Sequence, residues 1–302
     1  MPRLGQHFLT DKNALKKIAG FLDLSAEGGS ASGGKGGDTI VEIGPGHGEL
    51  TEQIANSQSQ IVAIEKDELL ANALREKFSG NEKIKIITGD ILKILSSLIE
   101  NCKLSARGGS AFSGKIENYK LAGNIPYYIT GKLLRTISEL PEKPEISVFT
   151  IQKEVAERLV AKPRGMNPVR SRPRQQASAT GTSGRPASNG MNRLAASVQF
   201  WAEPEIALII PRDSFRPIPD VDSATIVLKK GVQRGIKTDA YYKTVRVLFS
   251  QPRKTILNNL SFGMGVSKKD AEEKLKLARI ESGLRPQNLS VEDIIKIAVA
   301  FQ

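Results

Sequence analysis

The chain is poor in the residues that build cross-links and metal sites. It has one cysteine, Cys102, so no disulfide can form within it, and a reducing compartment, the cytoplasm, is expected. Its two histidines, His7 and His47, stand without partners at metal-ligand spacing, so no metal is expected. Long apolar runs are also missing, and the opening Met1-Pro2-Arg3-Leu4-Gly5-Gln6-His7 is polar. Neither a signal peptide nor a membrane helix is expected. What the chain has instead is positive charge: 44 Lys and Arg against 32 Asp and Glu, a net +12. That balance favours a polyanionic partner, nucleic acid before membrane. With 302 residues, 39% of them hydrophobic, it can bury the core of one large domain and add a small one.

Strand and helix patterns alternate over the first half. Thr10 is expected to cap a helix whose apolar face is Ala14, Leu15, Ile18, Ala19 and Leu22. Residues 39–43 read as a buried parallel strand that runs into Gly44-Pro45-Gly46-His47-Gly48, with a helix opening from about Glu49. Residues 61–64 form a second strand ending at Glu65, and Asp67 starts a helix with apolar face Leu69, Leu70, Ala73, Leu74 and Phe78. Residues 83–88 form a third strand, followed by Gly89-Asp90-Ile91-Leu92. Residues 119–122 close another strand, a helix covers about 131–140, and 146–151 is a strand again. The alternation predicts an α/β fold, a doubly wound Rossmann-like sheet. Residues 206–210 and 224–228 read as an antiparallel pair closing it. From residue 236 the pattern is all-helical, which predicts two domains, 1–235 and 236–302. The Gly/Ser-rich stretches 25–37 and 105–114 and the stretch 162–192 read as flexible loops. The last carries Arg164, Arg170, Arg172, Arg174 and Arg185.

Two groups of residues carry chemistry. Gly123-Asn124-Ile125-Pro126-Tyr127-Tyr128 follows a buried strand end and suits the exocyclic amine of a flat base. That amine's lone pair is delocalised into the ring, so acceptors on its two hydrogens favour attack by nitrogen. The Asn124 side-chain oxygen is one acceptor and the Ile125 carbonyl the other, with Pro126 fixing the backbone between them. Tyr127 stacks on the base, while Tyr128 is expected to pack. The second group lies at successive strand ends. Gly44, Gly46 and Gly48 let a ligand approach the backbone at a helix N-terminus. Glu65 can take two ribose hydroxyls, Asp90 an adenine amine, and Ile91 can pack on the ring. A dinucleotide fingerprint would place its third glycine at 49, where Glu49 stands. Glu42 would repel a pyrophosphate but suits a cationic methionine end. The set fits S-adenosylmethionine.

With these residues in view, the chain resembles the ribosomal RNA adenine N6,N6-dimethyltransferases that act on small-subunit rRNA. The resemblance rests on Leu4-Gly5-Gln6-His7-Phe8-Leu9, Glu42-Ile43-Gly44-Pro45-Gly46-His47-Gly48, Ala63-Ile64-Glu65-Lys66-Asp67, Gly89-Asp90 and the Asn124 to Tyr127 turn. It continues through Gln152 to Leu159, Pro217-Ile218-Pro219-Asp220-Val221-Asp222-Ser223-Ala224, and Arg253-Lys254-Thr255 with Asn258-Asn259-Leu260. It implies a class I methyltransferase fold and dimethylation of two adjacent adenosines in a hairpin loop near the 3′ end of 16S rRNA, in ribosome biogenesis. It also implies that His7 and Leu9 fold over the cofactor, and that Gly44, Glu65, Asp90 and Asn124 hold it. Phe215, the Phe of a Phe-x-Pro-x-Pro segment, becomes the second aromatic wall of the base site. The helical C-terminal domain is expected to bind RNA, and the partner is small-subunit rRNA or a pre-30S particle. A monomer is expected.

Two other functions share part of this pattern. A large-subunit methyltransferase of the macrolide-resistance type has the same cofactor and amine motifs, but the Gly-Gln-His-Phe-Leu start and the Pro217 to Ala224 segment favour the small-subunit enzyme. A non-catalytic assembly factor would keep fold and charge and lose the amine site, which is intact here. The three loops are long for the family, and the basic run before Gly5-Gln6 is reduced to Arg3. The arginine-rich loop is either a source of phosphate contacts or a tolerated insertion.

Overall fold

The computed structural model describes residues 6–23, 39–55, 57, 59–101, 103–104, 112–113, 118–165, 190–232 and 234–302. The expected loop at 25–37 and most of those at 105–114 and 162–192 lie outside them. So does Cys102. Within the second loop, Phe112–Ser113 (β6) pairs antiparallel with Lys103–Leu104 (β5). The chain divides into two compact units, one made of residues 1–156 with 201–232 and the other of 157–200 with 233–302. Among the described residues no helix is long and apolar enough to cross a membrane.

The first unit is built on a seven-stranded sheet. Its parallel strands are Thr39–Ile43 (β2), Gln60–Glu65 (β3), Ile84–Thr88 (β4), Tyr119–Asn124 (β7) and Ile146–Gln152 (β8). Ser223–Lys230 (β11) and Ala202–Ile210 (β9) close it as the expected antiparallel pair. The spatial order β4-β3-β2-β7-β8-β11-β9 reverses between β2 and β7. That reversal leaves a crevice beyond the carboxyl ends of the two strands. β2, β3 and β7 are buried along most of their length, which is why they read as mostly apolar runs, with Glu42 and Lys120 as buried charged exceptions. The helices are Lys12–Gly20 (α1), Glu49–Ala55 (α2), Glu68–Lys77 (α3), Ile91–Asn101 (α4) and Thr130–Glu139 (α5), with Lys153–Leu159 (α6) following β8.

Local details differ from the sequence expectation in two places. Asp11, not Thr10, caps α1: its Oδ1 accepts from the N–H groups of Asn13 and Ala14. Thr10 instead donates both its N–H and its hydroxyl to the carbonyl of Ser214. The expected apolar face of α1 is buried in full. On α3 the buried residues are Ala71 and Leu74, while Leu69 is 81% exposed. Leu69 lies in the first turn, just past the Asp67 cap.

The second unit is helical: Arg193–Gln199 (α7), Thr238–Leu248 (α8), Ile256–Met264 (α9), Lys268–Leu277 (α10) and Val291–Ala300 (α11). Ser290 caps α11 in a capping box with Asp293. Residues 157–200 belong to this unit, although the sequence pattern groups them with the sheet. Contacts made by α8 explain it. Tyr241 stacks on Phe200 at 3.9 Å and donates its hydroxyl to the Ala196 carbonyl, and both are buried. The N–H groups of Arg164 and Met191 both donate to the Gln287 carbonyl.

Candidate active site

The crevice at the β2/β7 reversal requires a glycine. A Cβ on Gly123 would lie 2.5 Å from the Ile43 carbonyl oxygen of β2, so only glycine lets the strands approach here. Beyond β2 the loop carries Gly44, Gly46 and Gly48 with φ of 63°, 60° and 87°, a left-handed run that favours glycine. A Cβ at Gly46 would lie 2.7 Å from the Phe8 ring. Phe8 therefore rests on the bare backbone of this loop. Residues Phe8–Leu9 (β1) are held there by pairing with Phe215–Arg216 (β10).

Three acidic side chains stand at or near the carboxyl ends of β2, β3 and β4. Glu42 is 1% exposed and accepts a 2.7 Å hydrogen bond from the Thr51 hydroxyl. Burial pushes its carboxyl up to about 7; the Thr51 bond opposes this, and the charges of Glu49 and Glu65 add to it. Glu65 is also buried, with Oε2 accepting from Gly46 N–H at 3.2 Å and Oε1 from Asp67 N–H at 2.9 Å. Those two bonds fix the carboxylate at the glycine loop, and each oxygen keeps a second lone pair. Asp90 accepts from Leu92 N–H at the start of α4 and pairs with Lys66 at 3.1 Å. Burial opposes its ionisation, but the bonds from Lys66 and Leu92 and the charges of Lys66 and Lys93 hold its carboxyl below the ordinary value. Lys66 is more than half exposed, so solvent screens this pair.

On the β7 side, Asn124 donates from Nδ2 to the His7 carbonyl at 2.7 Å. Ile125 is buried and its N–H donates to the Thr150 carbonyl, which sets the backbone of the turn. Pro126 leads into a short 3-10 turn, Tyr127–Ile129. Tyr127 is half-buried, and its hydroxyl lies 2.8 Å from that of the fully buried Ser223. Burial raises the Tyr127 phenol, the Ser223 bond opposes that, and the Asp222 charge adds to it. The His7 ring faces Tyr127 at 5.7 Å and 27°, and His7 Nδ1 donates to the Pro217 carbonyl at 2.8 Å.

One cavity is lined by Gln6, His7, Phe8, Gly44, Gly46, Asn124, Ile125, Pro126 and Tyr127. It gathers seven of the residues singled out in the sequence and adds Gln6 and Phe8. Leu9, Glu65, Asp90, Ile91 and Phe215 are not among the residues that line it. Phe215 is 0% exposed and packs in the core cluster with Leu9, Leu15, Ile18 and Ile210, so it is not an exposed aromatic wall. Its β10 register, opposite Leu9, turns the ring inward. Leu9 is likewise a core side chain, so only its backbone can face a ligand. Ile91 is nearly buried at the start of α4, beside Asp90. Tyr128, expected to pack, is 56% exposed. Ser223 was part of a recognised motif but had no role from sequence, because its partner lies 96 residues away. Among the described residues, no cluster of three or more His, Cys, Asp or Glu side chains could hold a metal ion.

Strand-end carboxylates, a glycine cradle and a reversal crevice suit a cationic, hydroxyl-bearing nucleoside, and S-adenosylmethionine has that chemistry. The sheet order is that of the class I methyltransferase fold. The profile of the family described as ribosomal RNA adenine dimethylase matches residues 1–169 and 174–302. The chain belongs to that family, and its methyl donor is S-adenosylmethionine. A ribosomal RNA small subunit methyltransferase A from Dehalococcoides mccartyi is 34% identical over 96% of this chain and 84% of its own length. One from Ligilactobacillus salivarius is 34% identical over 99% and 88%. Among solved structures, a dimethyladenosine transferase from Plasmodium falciparum superposes with TM-score 0.67 at 19% identity, covering 96% of each chain. The 23S rRNA methyltransferase ErmE superposes with TM-score 0.65 at 22% identity, covering 97% of this chain and 99% of its own. Both structural likenesses speak for the fold alone.

Proposed function

We propose that this protein dimethylates N6 of two adjacent adenosines in a hairpin loop near the 3′ end of small-subunit rRNA, as a step of ribosome biogenesis. The observation that supports this most is the shared cavity in which Asn124, Ile125, Pro126 and Tyr127 meet Gly44 and Gly46. Hairpin loops present unstacked bases, which lowers the cost of extruding one. The base stacks on Tyr127. The His7 ring, not Phe215, stands across from Tyr127 at the spacing of two rings in contact. Asn124 Oδ1 and the Ile125 carbonyl accept the two N6 hydrogens, which orients the nitrogen lone pair and stabilises charge developing there. Glu65 at the glycine loop takes ribose hydroxyls, and Asp90 takes the adenine amine. Bound S-adenosylmethionine supplies an electrophilic methyl group on a sulfonium. The N6 proton leaves to solvent or a neighbouring acceptor.

The curated relatives are small-subunit methyltransferases, which favours that substrate over the large subunit. The net charge of +12 fits an rRNA or pre-30S partner, with the helical unit binding RNA. A cytoplasmic monomer completes the reading. Asn124→Ala tests it: methyl transfer to unmethylated small subunits should fall to background while S-adenosylmethionine still binds. Turnover at the native rate would sink the assignment of Asn124.

A further inference from the structure

We infer that the backbone carbonyl of His7 is a positioning group that makes this site require an amide, and reject a carboxylate, at position 124. The inference rests on the proposed role of Asn124 toward the target amine. The His7 carbonyl can only accept, so at 2.7 Å it must face Nδ2 of Asn124, and Oδ1 is the end left for the cavity. The amide cannot flip without setting two acceptors against each other.

The carbonyl is itself fixed. Phe8 and Leu9 pair with Arg216 and Phe215, the Leu9 and Phe215 side chains are both in the core, and Thr10 makes two bonds to the Ser214 carbonyl. The His7 ring adds its bond to Pro217. These contacts bring residues 6–10 to a segment more than 200 positions away. The N-terminal strand is therefore part of the base site as well as a cover for the cofactor.

Two expectations for Asn124→Asp then oppose each other. If position 124 acts only as an acceptor, a carboxylate is the stronger one and the variant keeps or gains activity. If the His7 carbonyl sets the orientation, one carboxylate oxygen faces that carbonyl with no hydrogen between them, and the half-buried group leaves its place. Asn124→Asp should then lose kcat on the order of 100-fold, the scale of one misplaced preorganised group. KM for the RNA and the dissociation constant for S-adenosylmethionine should stay within a few-fold.

The experiment compares native protein, Asn124→Asp and Asn124→Ala in single-turnover methyl transfer, with cofactor affinity measured in parallel. An Asn124→Asp variant with at least half the native rate overturns the inference and leaves the site reading standing. A fully active Asn124→Ala overturns the site reading itself. A second measurement needs no active variant. In protein labelled with 15N-asparagine, the Asn124 side-chain signal, assigned by its loss in Asn124→Ala, should exchange its amide hydrogens more slowly than exposed asparagines do. Exchange at the exposed rate overturns the inference.

Discussion

Glu42 offers a prediction whose size follows from the structure. It is a carboxyl buried beneath the glycine loop, with one hydrogen bond, from Thr51, and two carboxylates, Glu49 and Glu65, acting on it. Its folded-state value of about 7 stands above the ordinary 4.5. At 1.36 kcal/mol per pH unit that difference is about 3 kcal/mol. Because the folded value is the raised one, the stabilisation from holding the proton is fully present below pH 4.5 and is lost as pH rises through about 7. Glu42→Gln keeps the volume and an acceptor for the Thr51 hydroxyl but cannot ionise. Urea unfolding of both proteins across this range should show the variant gaining about 3 kcal/mol on the native protein between pH 4.5 and pH 8.5. A gap that stays constant with pH would refute the buried-carboxyl account. A cation bound nearby favours the ionised form, so the same variant should also flatten the pH dependence of S-adenosylmethionine affinity.

Glu65→Ala removes the carboxylate that two backbone N–H groups fix at the loop, and should weaken S-adenosylmethionine binding on the order of ten- to a hundredfold by calorimetry. An unchanged dissociation constant would remove Glu65 from the cofactor site. Phe215→Ala should cost about 3–5 kcal/mol in unfolding free energy, as for a large core side chain. Phe215→Leu should keep most of its methyl transfer; activity lost at native stability would restore Phe215 to the base site.

Much of the sheet was legible because burial on both faces writes itself into mostly apolar runs, as at 39–43, 61–64 and 119–122, broken only by the buried Glu42 and Lys120. The strand-end positions of Gly44, Glu65 and Asp90 followed from that reading alone. What failed to show was set by pairing across long separations. Phe215 sits among Arg and Pro in sequence, and only its register with Leu9 makes it core. The orientation of Asn124 depends on a carbonyl 117 residues earlier. The place of α7 in the helical unit depends on Tyr241 and Phe200. The Asp11 cap was missed for a local reason: Thr10 and Asp11 are both good caps, and Thr10 is drawn away by Ser214.

The central claim is best tested by methyl transfer from labelled S-adenosylmethionine to unmethylated small ribosomal subunits, with large subunits alongside, followed by nucleoside analysis. The account predicts N6,N6-dimethyladenosine on the small subunit alone. Label on the large subunit, or RNA binding with no label on either, would contradict it.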